Sequence, residues 1–248
     1  MLKKVLTFAW LFVNVIQAFV ILFWTMFCAV FVVLFGYVSP SFARWVVYRF
    51  WAYSFSMIMG AKIVYDDGGI DWKDGPRLFY ANHSSNIDIP AILSHTPVPL
   101  HFIAKKSLRH FPFVGQAMVT VGTIFIDREN LEKAKKSLEL AKREILENGK
   151  NLVAFPEGTR SDSGELLPFK KGAFLLALEA GIPVVPIAID GARDRLRKPV
   201  LFSTPGPIRI KVGRPIDSTK FSYEQRDEFV KTARQALIDL RNEQKGAH

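Results

Sequence analysis

An uninterrupted apolar run near the start of the chain restricts its possible folds more than any other feature. Residues 5–35 contain no charged side chain, and their most polar members are Asn14 and Gln17. As one helix the run would extend about 46 Å, at about 1.5 Å per residue, whereas about 20 residues suffice to cross a membrane. It is too long and too uniformly apolar for a core helix of a soluble protein, and too long for a signal-peptide core. The sequence therefore predicts a membrane-associated segment.

Positive charges on both sides of this run favour a helical hairpin over a single crossing. Lys3 and Lys4 precede the run, and Arg44 and Arg49 follow it after a turn that contains Gly and Pro. A single crossing would leave one pair on the non-cytoplasmic side, against the positive-inside tendency. We therefore expect residues 1–60 to form a two-helix, membrane-embedded or interfacial motif. It would be monotopic at the cytoplasmic face of the cell inner membrane, with a transmembrane span as the alternative.

The remaining residues, 61–248, have the pattern of an α/β domain. Short β-branched and aromatic runs, typical of strands, alternate with amphipathic segments typical of helices. This alternation predicts a mixed, largely parallel sheet flanked by helices, with the active face beyond the strand ends. Strands are expected at 62–66, 77–81, 101–104, 122–127, 151–155, 183–189 and 208–212, and helices at 87–94, 113–121, 129–148, 170–180 and 222–241.

Charge and cysteine content limit the classes of partner. The net charge of the 248 residues is +10, and residues 1–60 contribute only four cationic side chains and no acidic one, so the rest of the chain is basic as well. A basic surface suits anionic partners, and the apolar N-terminus favours lipid and phosphate over nucleic acid. The lone Cys28 lies in the apolar run, which excludes an intrachain disulfide and gives no indication of a zinc cluster.

A histidine and a carboxylate, His83 and Asp88, stand five positions apart after the second expected strand. On an ideal helix this spacing places two side chains about 140° apart. They can therefore meet only if His83 precedes the helix and Asp88 lies in its first turn, where the helix dipole favours a carboxylate. Asp88 would then orient the ring and leave its other nitrogen as a general base. By spacing alone, a polar turn with an incidental histidine is an equally good interpretation.

Two later segments add candidate ligand groups. Arg128 follows an expected strand and could bind a phosphate. Taken alone, it is better interpreted as a surface arginine paired with Asp127 or Glu129. In residues 155–161 a glycine, Gly158, permits a sharp turn or a close approach to a ligand. Glu157 could hydrogen-bond a polyol there, and Arg160 could hold an anion.

Other features are weaker. Lys105 follows a strand and could extend a phosphate site, whereas His95, His101 and His110 have no partner at a recognisable spacing and are expected to be structural or surface groups. A basic stretch is either solvated or meets lipid headgroups or donor phosphates. It comprises Arg193, Arg195, Arg197 and Lys198. Within residues 181–189, Pro186 lacks a ladder donor and argues against a regular central strand, although this segment could line an acyl groove.

Together, four segments resemble a known family. They are NHSSNID (82–88), GTIFIDR (122–128), FPEGTRS (155–161) and GIPVVPIAI (181–189). In order and spacing they closely resemble the four blocks of the glycerophospholipid acyltransferase family, especially the bacterial 1-acyl-sn-glycerol-3-phosphate (lysophosphatidic acid) acyltransferases. The resemblance implies that His83 and Asp88 are catalytic. It implies substrate-binding roles for Lys105, Arg128, Glu157, Gly158, Thr159 and Arg160.

The resemblance also implies a reaction. An acyl chain would pass from acyl-CoA or acyl-carrier protein to the free sn-2 hydroxyl of 1-acyl-sn-glycerol 3-phosphate, giving phosphatidic acid without a metal or cofactor. Lysophosphatidic acid, the donor and membrane lipids would be the partners, and nucleic acid would not. Alternatives are acylation of glycerol 3-phosphate or another lysophospholipid, a His-dependent lipid hydrolase, and a non-enzymatic membrane-binding module. A serine esterase is disfavoured because no Gly-x-Ser-x-Gly elbow is present.

Overall fold

The N-terminal region forms two long helical stretches joined by a short turn. In this computed structural model, which describes residues 2–127, 131–196 and 203–246, helix α1 spans Leu2–Gly36. The return stretch consists of α2 (Pro40–Trp45), a π-helical segment (Val46–Trp51) and α3 (Ala52–Ile58). The Ser39 hydroxyl accepts a hydrogen bond from the Phe42 N–H at 3.2 Å, and Pro40 opens α2. A capping serine and a first-turn proline are strong helix-start signals.

The two stretches run antiparallel and are joined by polar contacts from aromatic and amide side chains. Trp24 Nε1 donates to the Ser54 hydroxyl at 2.6 Å, and Trp51 Nε1 donates to the Thr25 hydroxyl at 3.1 Å. Nearer the open end of the pair, the side-chain amide of Gln17 donates to the carbonyl of Ile58. Donors on each helix thus find acceptors on the other, which avoids unsatisfied polar groups in an apolar setting.

Seven strands of the described residues form one sheet. They are β1 (Ala61–Asp66), β2 (Leu78–Ala81), β3 (Leu100–Lys105), β4 (Ile124–Ile126), β5 (Asn151–Ala154), β6 (Val184–Asp190) and β7 (Gly206–Val212). Their order is β1-β7-β6-β2-β5-β3-β4. Every pair is parallel except β6 with β7. The predicted mixed, largely parallel α/β sheet is therefore confirmed.

Helices cover both faces of this sheet. They are α4 (Asp88–His95), α5 (Val114–Thr120), α6 (Leu131–Leu146), α7 (Gly172–Ala180), α8 (Ala192–Arg195) and α9 (Arg226–Gly246), with 3₁₀ turns at Lys106–His110 and Ser218–Lys220. On β2, Leu78 and Tyr80 face a buried cluster that includes α6, α7 and α9 residues, whereas Phe79 and Ala81 face one that includes α4 residues. Alternate strand residues therefore build two cores.

The return stretch of the hairpin belongs to one of these cores. Tyr48, Ala52 and Met59 are buried in the same cluster as Phe79 and α4. The Tyr48 hydroxyl accepts from the Leu100 N–H at 2.8 Å and also contacts the Leu100 carbonyl. The hairpin therefore packs directly on the α/β domain.

Helix α1 contacts the α/β domain at two places far apart along its length. Asn14 Oδ1 accepts a hydrogen bond from the Ser203 N–H at 2.6 Å, and the Ser203 hydroxyl contacts the Gln17 side chain. At the other end, a Cβ atom on Gly36 would lie 2.0 Å from Cγ2 of Thr120 in α5. The two most polar residues of the apolar run thus join α1 to the domain.

The strand expected at 183–189 is confirmed, because β6 is a buried, central strand that contains Pro186. The irregularity that Pro186 predicts is found on the side of β6 that faces β7. The pairing of β6 with β7 covers Ile187 to Asp190 and ends next to Pro186. On the other side of Pro186, Val184 forms only an isolated bridge with Ile216. Between these points the Pro186 carbonyl accepts from the Gly213 N–H at 2.9 Å. Because the ladder is interrupted at Pro186, no strand hydrogen bond requires the backbone N–H that proline lacks.

Candidate active site

The His83 and Asp88 side chains meet at the end of β2. His83 Nδ1 lies 2.8 Å from Asp88 Oδ2, with His83 on the loop and Asp88 as the first residue of α4. This is the arrangement that helical geometry required. The same carboxylate oxygen accepts from the backbone N–H groups of Ser84 at 2.8 Å and Ser85 at 2.9 Å. Loop and helix start are therefore locked around one carboxylate.

Asp88 is enclosed by the protein. Its side chain is fully buried, and Oδ1 has no hydrogen-bond partner in the described part of the chain. All three hydrogen bonds converge on Oδ2, so the carboxylate has one fixed orientation. An imidazole that donates Nδ1–H to this oxygen is held in one tautomer, with Nε2 left as its basic nitrogen.

Residues that follow β5 hold His83 from the other side. The Phe155 ring stacks on the imidazole, with 4.0 Å between centroids and 17° between planes. Glu157 Oε1 accepts from the His83 N–H at 2.7 Å, and the Ser161 N–H donates to the His83 carbonyl at 2.8 Å. Ring and backbone of the histidine are thus fixed by residues more than 70 positions away.

Glu157 uses both carboxylate oxygens on backbone groups. Its Oε2 accepts from the Leu167 N–H at 2.8 Å, while Oε1 serves His83. Glu157 is buried, and this burial raises its pKa, although the two N–H donors act in the opposite direction. It does not line the cavity next to His83, so its contacts are those of a group that positions the loop.

Three arginines donate hydrogen bonds to backbone carbonyls of the loop at residues 162–166. Arg193 Nε donates to the carbonyl of Asp162 at 2.8 Å. From α9, Arg241 donates to the Gly164 carbonyl at 2.9 Å, and Arg234 donates to the Leu166 carbonyl at 3.1 Å. Because Leu167 comes next, these contacts also hold the N–H that binds Glu157. Arg193 thus has a structural partner, while Arg197 and Lys198 of the same basic stretch lie outside the described residues.

Residues of the fourth sequence block and those just after it hold the loop that carries His83. The Asn82 side-chain amide donates to the Ile189 carbonyl and accepts from the Ile189 N–H, both at 2.9 Å. The Ser85 hydroxyl donates to the Leu196 carbonyl at 2.8 Å. No residue of 181–189 lines the cavity next to His83, so the expectation that this segment could line an acyl groove is not met at this cavity.

A cavity of about 360 Å³ opens beside His83. Its polar lining includes His83, His101, Lys105, Thr123, Thr159 and Arg160, with Gly158 beside Thr159. The rest of the wall is mainly apolar and comes from the hairpin, α4, β3 and α5, with Tyr48, Trp51, Leu93, Phe102, Val114 and Met118 among its residues. The structure therefore brings four of the six expected binding residues to one cavity, leaves Glu157 outside it, and does not describe Arg128.

Gly158 permits the turn that forms this polar wall. Its φ is +73°, a conformation that side-chain-bearing residues rarely adopt. A Cβ atom at this position would also lie 2.8 Å from the Lys170 side chain. The sequence singled out Gly158 for this reason, but it did not indicate that Lys170 packs against it.

Several residues of the site were missed or only partly anticipated from the sequence. Phe155 and Asn82 lie inside recognised segments, yet their partners are distant in sequence, so only their position at strand ends could have marked them. Tyr48 and Trp51 could have been suspected from the aromatic content of the return stretch. His101 was expected to be structural and is buried, with Nδ1 3.0 Å from the Val121 carbonyl. Burial lowers its pKa, and nearby Lys150 adds to the effect.

Comparisons with known proteins agree with this architecture. Residues 66–190 match the family described as Acyltransferase. The 1-acyl-sn-glycerol-3-phosphate acyltransferase of Limnanthes alba is 37% identical over 154 residues, covering 62% of this chain and 55% of the plant protein. That of Escherichia coli is 31% identical over 163 residues, covering 66% of each. The chain thus spans little more than half the length of the plant relative.

A solved structure is similar over nearly the full length. The 1-acyl-sn-glycerophosphate (LPA) acyltransferase PlsC from Thermotoga maritima superposes with a TM-score of 0.78 at 27% identity, covering 94% of this chain and 97% of that one. The family match, the relatives and the structural likeness all indicate one family. The chain belongs to the 1-acyl-sn-glycerol-3-phosphate acyltransferase family.

Proposed function

We propose that the protein transfers an acyl chain from acyl-CoA or acyl-carrier protein to the sn-2 hydroxyl of 1-acyl-sn-glycerol 3-phosphate, forming phosphatidic acid. One observation carries the proposal. The imidazole of His83, bound to a buried carboxylate through Nδ1, borders a mostly apolar cavity whose polar wall is cationic. A general base, room for an acyl chain and cations for a phosphate are the parts that this reaction needs.

The reaction is a direct transfer. His83 Nε2 removes the proton from the acceptor hydroxyl as the oxygen attacks the thioester carbonyl. The tetrahedral intermediate collapses by breaking the carbon–sulfur bond, and His83 returns the proton to the departing thiolate. Asp88, 2.8 Å from Nδ1, stabilises the imidazolium that exists between these steps. The new carbon–oxygen bond replaces the carbon–sulfur bond, and the hydroxyl proton ends on the thiol, so no further reactant is needed.

Arg160 and Lys105 of the cavity wall hold the acceptor phosphate in this proposal. A guanidinium binds two phosphate oxygens at once, and an ammonium adds a compact charge. Thr159, on the same wall, offers a hydroxyl to the glycerol or the phosphate. Arg128 keeps the phosphate-binding role that its sequence block implies, although it lies outside the described residues. Fixing the phosphate places the free hydroxyl at His83 and so lowers the entropic part of the barrier.

For Glu157 we propose a positioning role instead of the direct substrate contact that the family resemblance implies. Both of its oxygens accept backbone N–H groups, and one of these belongs to His83. It therefore acts on the reaction through the place of His83. Gly158 shapes the wall on which Thr159 and Arg160 stand.

Residues 1–60 are proposed as the membrane part, and residues 61–248 as the catalytic domain. Within the described residues, Trp10–Gly36 is the helix long and apolar enough to cross a membrane, and most of it is exposed. The domain holds it at Asn14 and again at Gly36, which are about 33 Å apart along the helix axis. A helix attached to one domain at two such separated points fits a monotopic arrangement, with α1 lying in one leaflet at the cytoplasmic face.

The proposed function is tested with the substitution His83→Ala. General acid–base catalysis typically contributes about 100-fold to 10,000-fold, so we expect phosphatidic acid formation to fall by roughly 100-fold or more. Retention of the thermal midpoint would show that the fold persists. A well-folded His83→Ala protein with near-normal turnover would refute the assignment.

A further inference from the structure

The stretch between β3 and α5 exposes large apolar side chains on the catalytic domain itself. Every residue from 105 to 113 is exposed. Among them, Leu108 is 38% exposed, Phe111 58% and Phe113 51%. Scattered exposed apolar residues are ordinary, but two phenylalanines and a leucine within six positions form a patch of the kind that marks an interaction site.

Phe113 is also held in a strained backbone conformation. Its φ is +58° and its ψ is −49°, and it is the only non-glycine residue of the described ranges with a positive φ. For a bulky side chain this conformation is unfavourable. The segment is nevertheless fixed, because the Gly115 N–H donates to the Phe111 carbonyl at 2.8 Å and the Ala117 N–H donates to the Phe113 carbonyl at 2.8 Å. A bulky aromatic side chain is therefore kept half exposed on a strained backbone.

This patch adjoins the apolar surface of the hairpin. Helix α5, which begins at the next residue, packs against α1 through Ala117, Ala29 and Val32 in one buried cluster. Near this contact α1 exposes Phe31 at 38% and Phe35 at 41%, and farther along it exposes Phe19 at 69%. The two apolar surfaces therefore neighbour each other, one from the hairpin and the other from the catalytic domain.

Basic side chains are interleaved with the apolar ones. Lys106, Arg109 and His110 lie in the 3₁₀ turn, and Lys106 also lies 3.4 Å from Asp127. Exposed phenylalanines flanked by cations match a bilayer surface, where apolar side chains enter the acyl region and cations meet anionic headgroups. A soluble protein partner would not explain the neighbouring apolar helix.

We propose that residues 106–113 are a second membrane-binding element. Leu108, Phe111 and Phe113 enter the lipid, and Arg109 meets anionic headgroups. Leu108 also lines the cavity beside His83, so this element sets the cavity against the bilayer from which the acceptor enters. The proposal rests on the membrane location argued above and extends it from the hairpin to the catalytic domain.

The test places a fluorophore at single cysteines in the full-length chain. In a Cys28→Ala background, the substitutions Phe111→Cys and Phe113→Cys each provide one site for an environment-sensitive label. The labelled proteins are bound to vesicles that contain chain-brominated lipid and phosphatidylglycerol. Leu140, 53% exposed on α6 at the other face of the sheet, is the matched control. Position 19 on α1 reports whether the hairpin is in the membrane.

We expect the bromolipid to quench labels at positions 19, 111 and 113 but not at 140. Quenching at 19 with none above the Leu140 control at 111 and 113 would overturn this proposal and leave the hairpin anchor intact. Absence of quenching at all four would overturn the membrane location on which it rests. Acyl transfer measured on the same samples reports the proposed function separately.

Phe113→Gly tests the same element with a variant that we expect to remain folded. Glycine accepts the positive φ, so the thermal midpoint in detergent is expected to rise. Loss of the phenyl group that enters the lipid should raise the apparent KM for vesicle-bound lysophosphatidic acid about tenfold, with no change for a short-chain acceptor free in solution. An unchanged KM on vesicles, with the rise in thermal midpoint observed, would contradict the proposal.

Discussion

Replacing Asp88 by asparagine separates the charge of this side chain from its hydrogen-bond geometry. Three donors converge on Oδ2, namely His83 Nδ1 and the N–H groups of Ser84 and Ser85. An asparagine would place its amide oxygen toward these donors and its NH₂ at the position of Oδ1. Because the two backbone donors fix this orientation, the Nδ1–H of His83 still finds an acceptor, and the tautomer is preserved.

The expected loss of activity is therefore the loss of charge. With about 4 Å between the charge centres and an effective dielectric constant near 20, the attraction between imidazolium and carboxylate is about 4 kcal/mol. That corresponds to roughly 1,000-fold in rate, and it is an upper bound because the amide oxygen still accepts a hydrogen bond. We expect kcat to fall by roughly 100-fold to 1,000-fold, with little change in the KM for lysophosphatidic acid.

Stability measurements on two variants complete this test. In Asp88→Asn one buried amide group lacks a partner, which costs about 1–3 kcal/mol. Asp88→Ala leaves three donors without an acceptor, so it should be less stable than Asp88→Asn. Steady-state acyl transfer and thermal unfolding in detergent give the two quantities. A folded Asp88→Asn protein with kcat within about tenfold of the wild type would refute the electrostatic role of Asp88.

Two further substitutions test the supporting contacts. Glu157→Gln turns one acceptor into a donor that faces a backbone N–H, so we expect a loss of about 1–3 kcal/mol and a fall in kcat larger than any change in KM. Burial raises the pKa of Glu157, so its proton stabilises the fold fully below the ordinary value of 4.5 and less as pH rises through the folded-state pKa. The wild-type thermal midpoint should therefore fall relative to Glu157→Gln across that window, and parallel pH profiles would contradict this. Asn14→Leu removes the acceptor of the Ser203 N–H and should lower stability in detergent by about 1–3 kcal/mol. Ser203→Ala, which keeps that N–H, should cost less, and the reverse order would argue against the contact.

Local rules predicted much of the fold and the dyad. The turn angle of a helix was enough to require His83 before α4 and Asp88 in its first turn, as observed. Strand positions followed from β-branched and aromatic runs. In both cases the deciding interactions lie between residues close in sequence, which is why the sequence pattern carries them.

Features that depend on distant partners were not predictable. The backbone N–H groups that Glu157 binds belong to His83 and Leu167, and a sequence shows only that Glu157 is charged. Pro186 indicated an irregular strand, but the sequence did not show that the gap lies in the ladder with β7, between Ile187 and the bridge of Val184 with Ile216. The positive φ of Phe113 likewise runs against the local preference of phenylalanine, so the sequence did not indicate it.

A balance of donor and product tests the central claim most directly. The purified full-length protein is incubated with lysophosphatidic acid and either acyl-CoA or acyl-carrier protein, and the free thiol and the lipid products are quantified by mass. We predict one phosphatidic acid, acylated at sn-2, for each thiol released, and formation of this product roughly 100-fold or more slower with His83→Ala. Thiol release without an acylated lipid would instead indicate a hydrolase, and acylation of glycerol 3-phosphate alone would contradict the assigned acceptor.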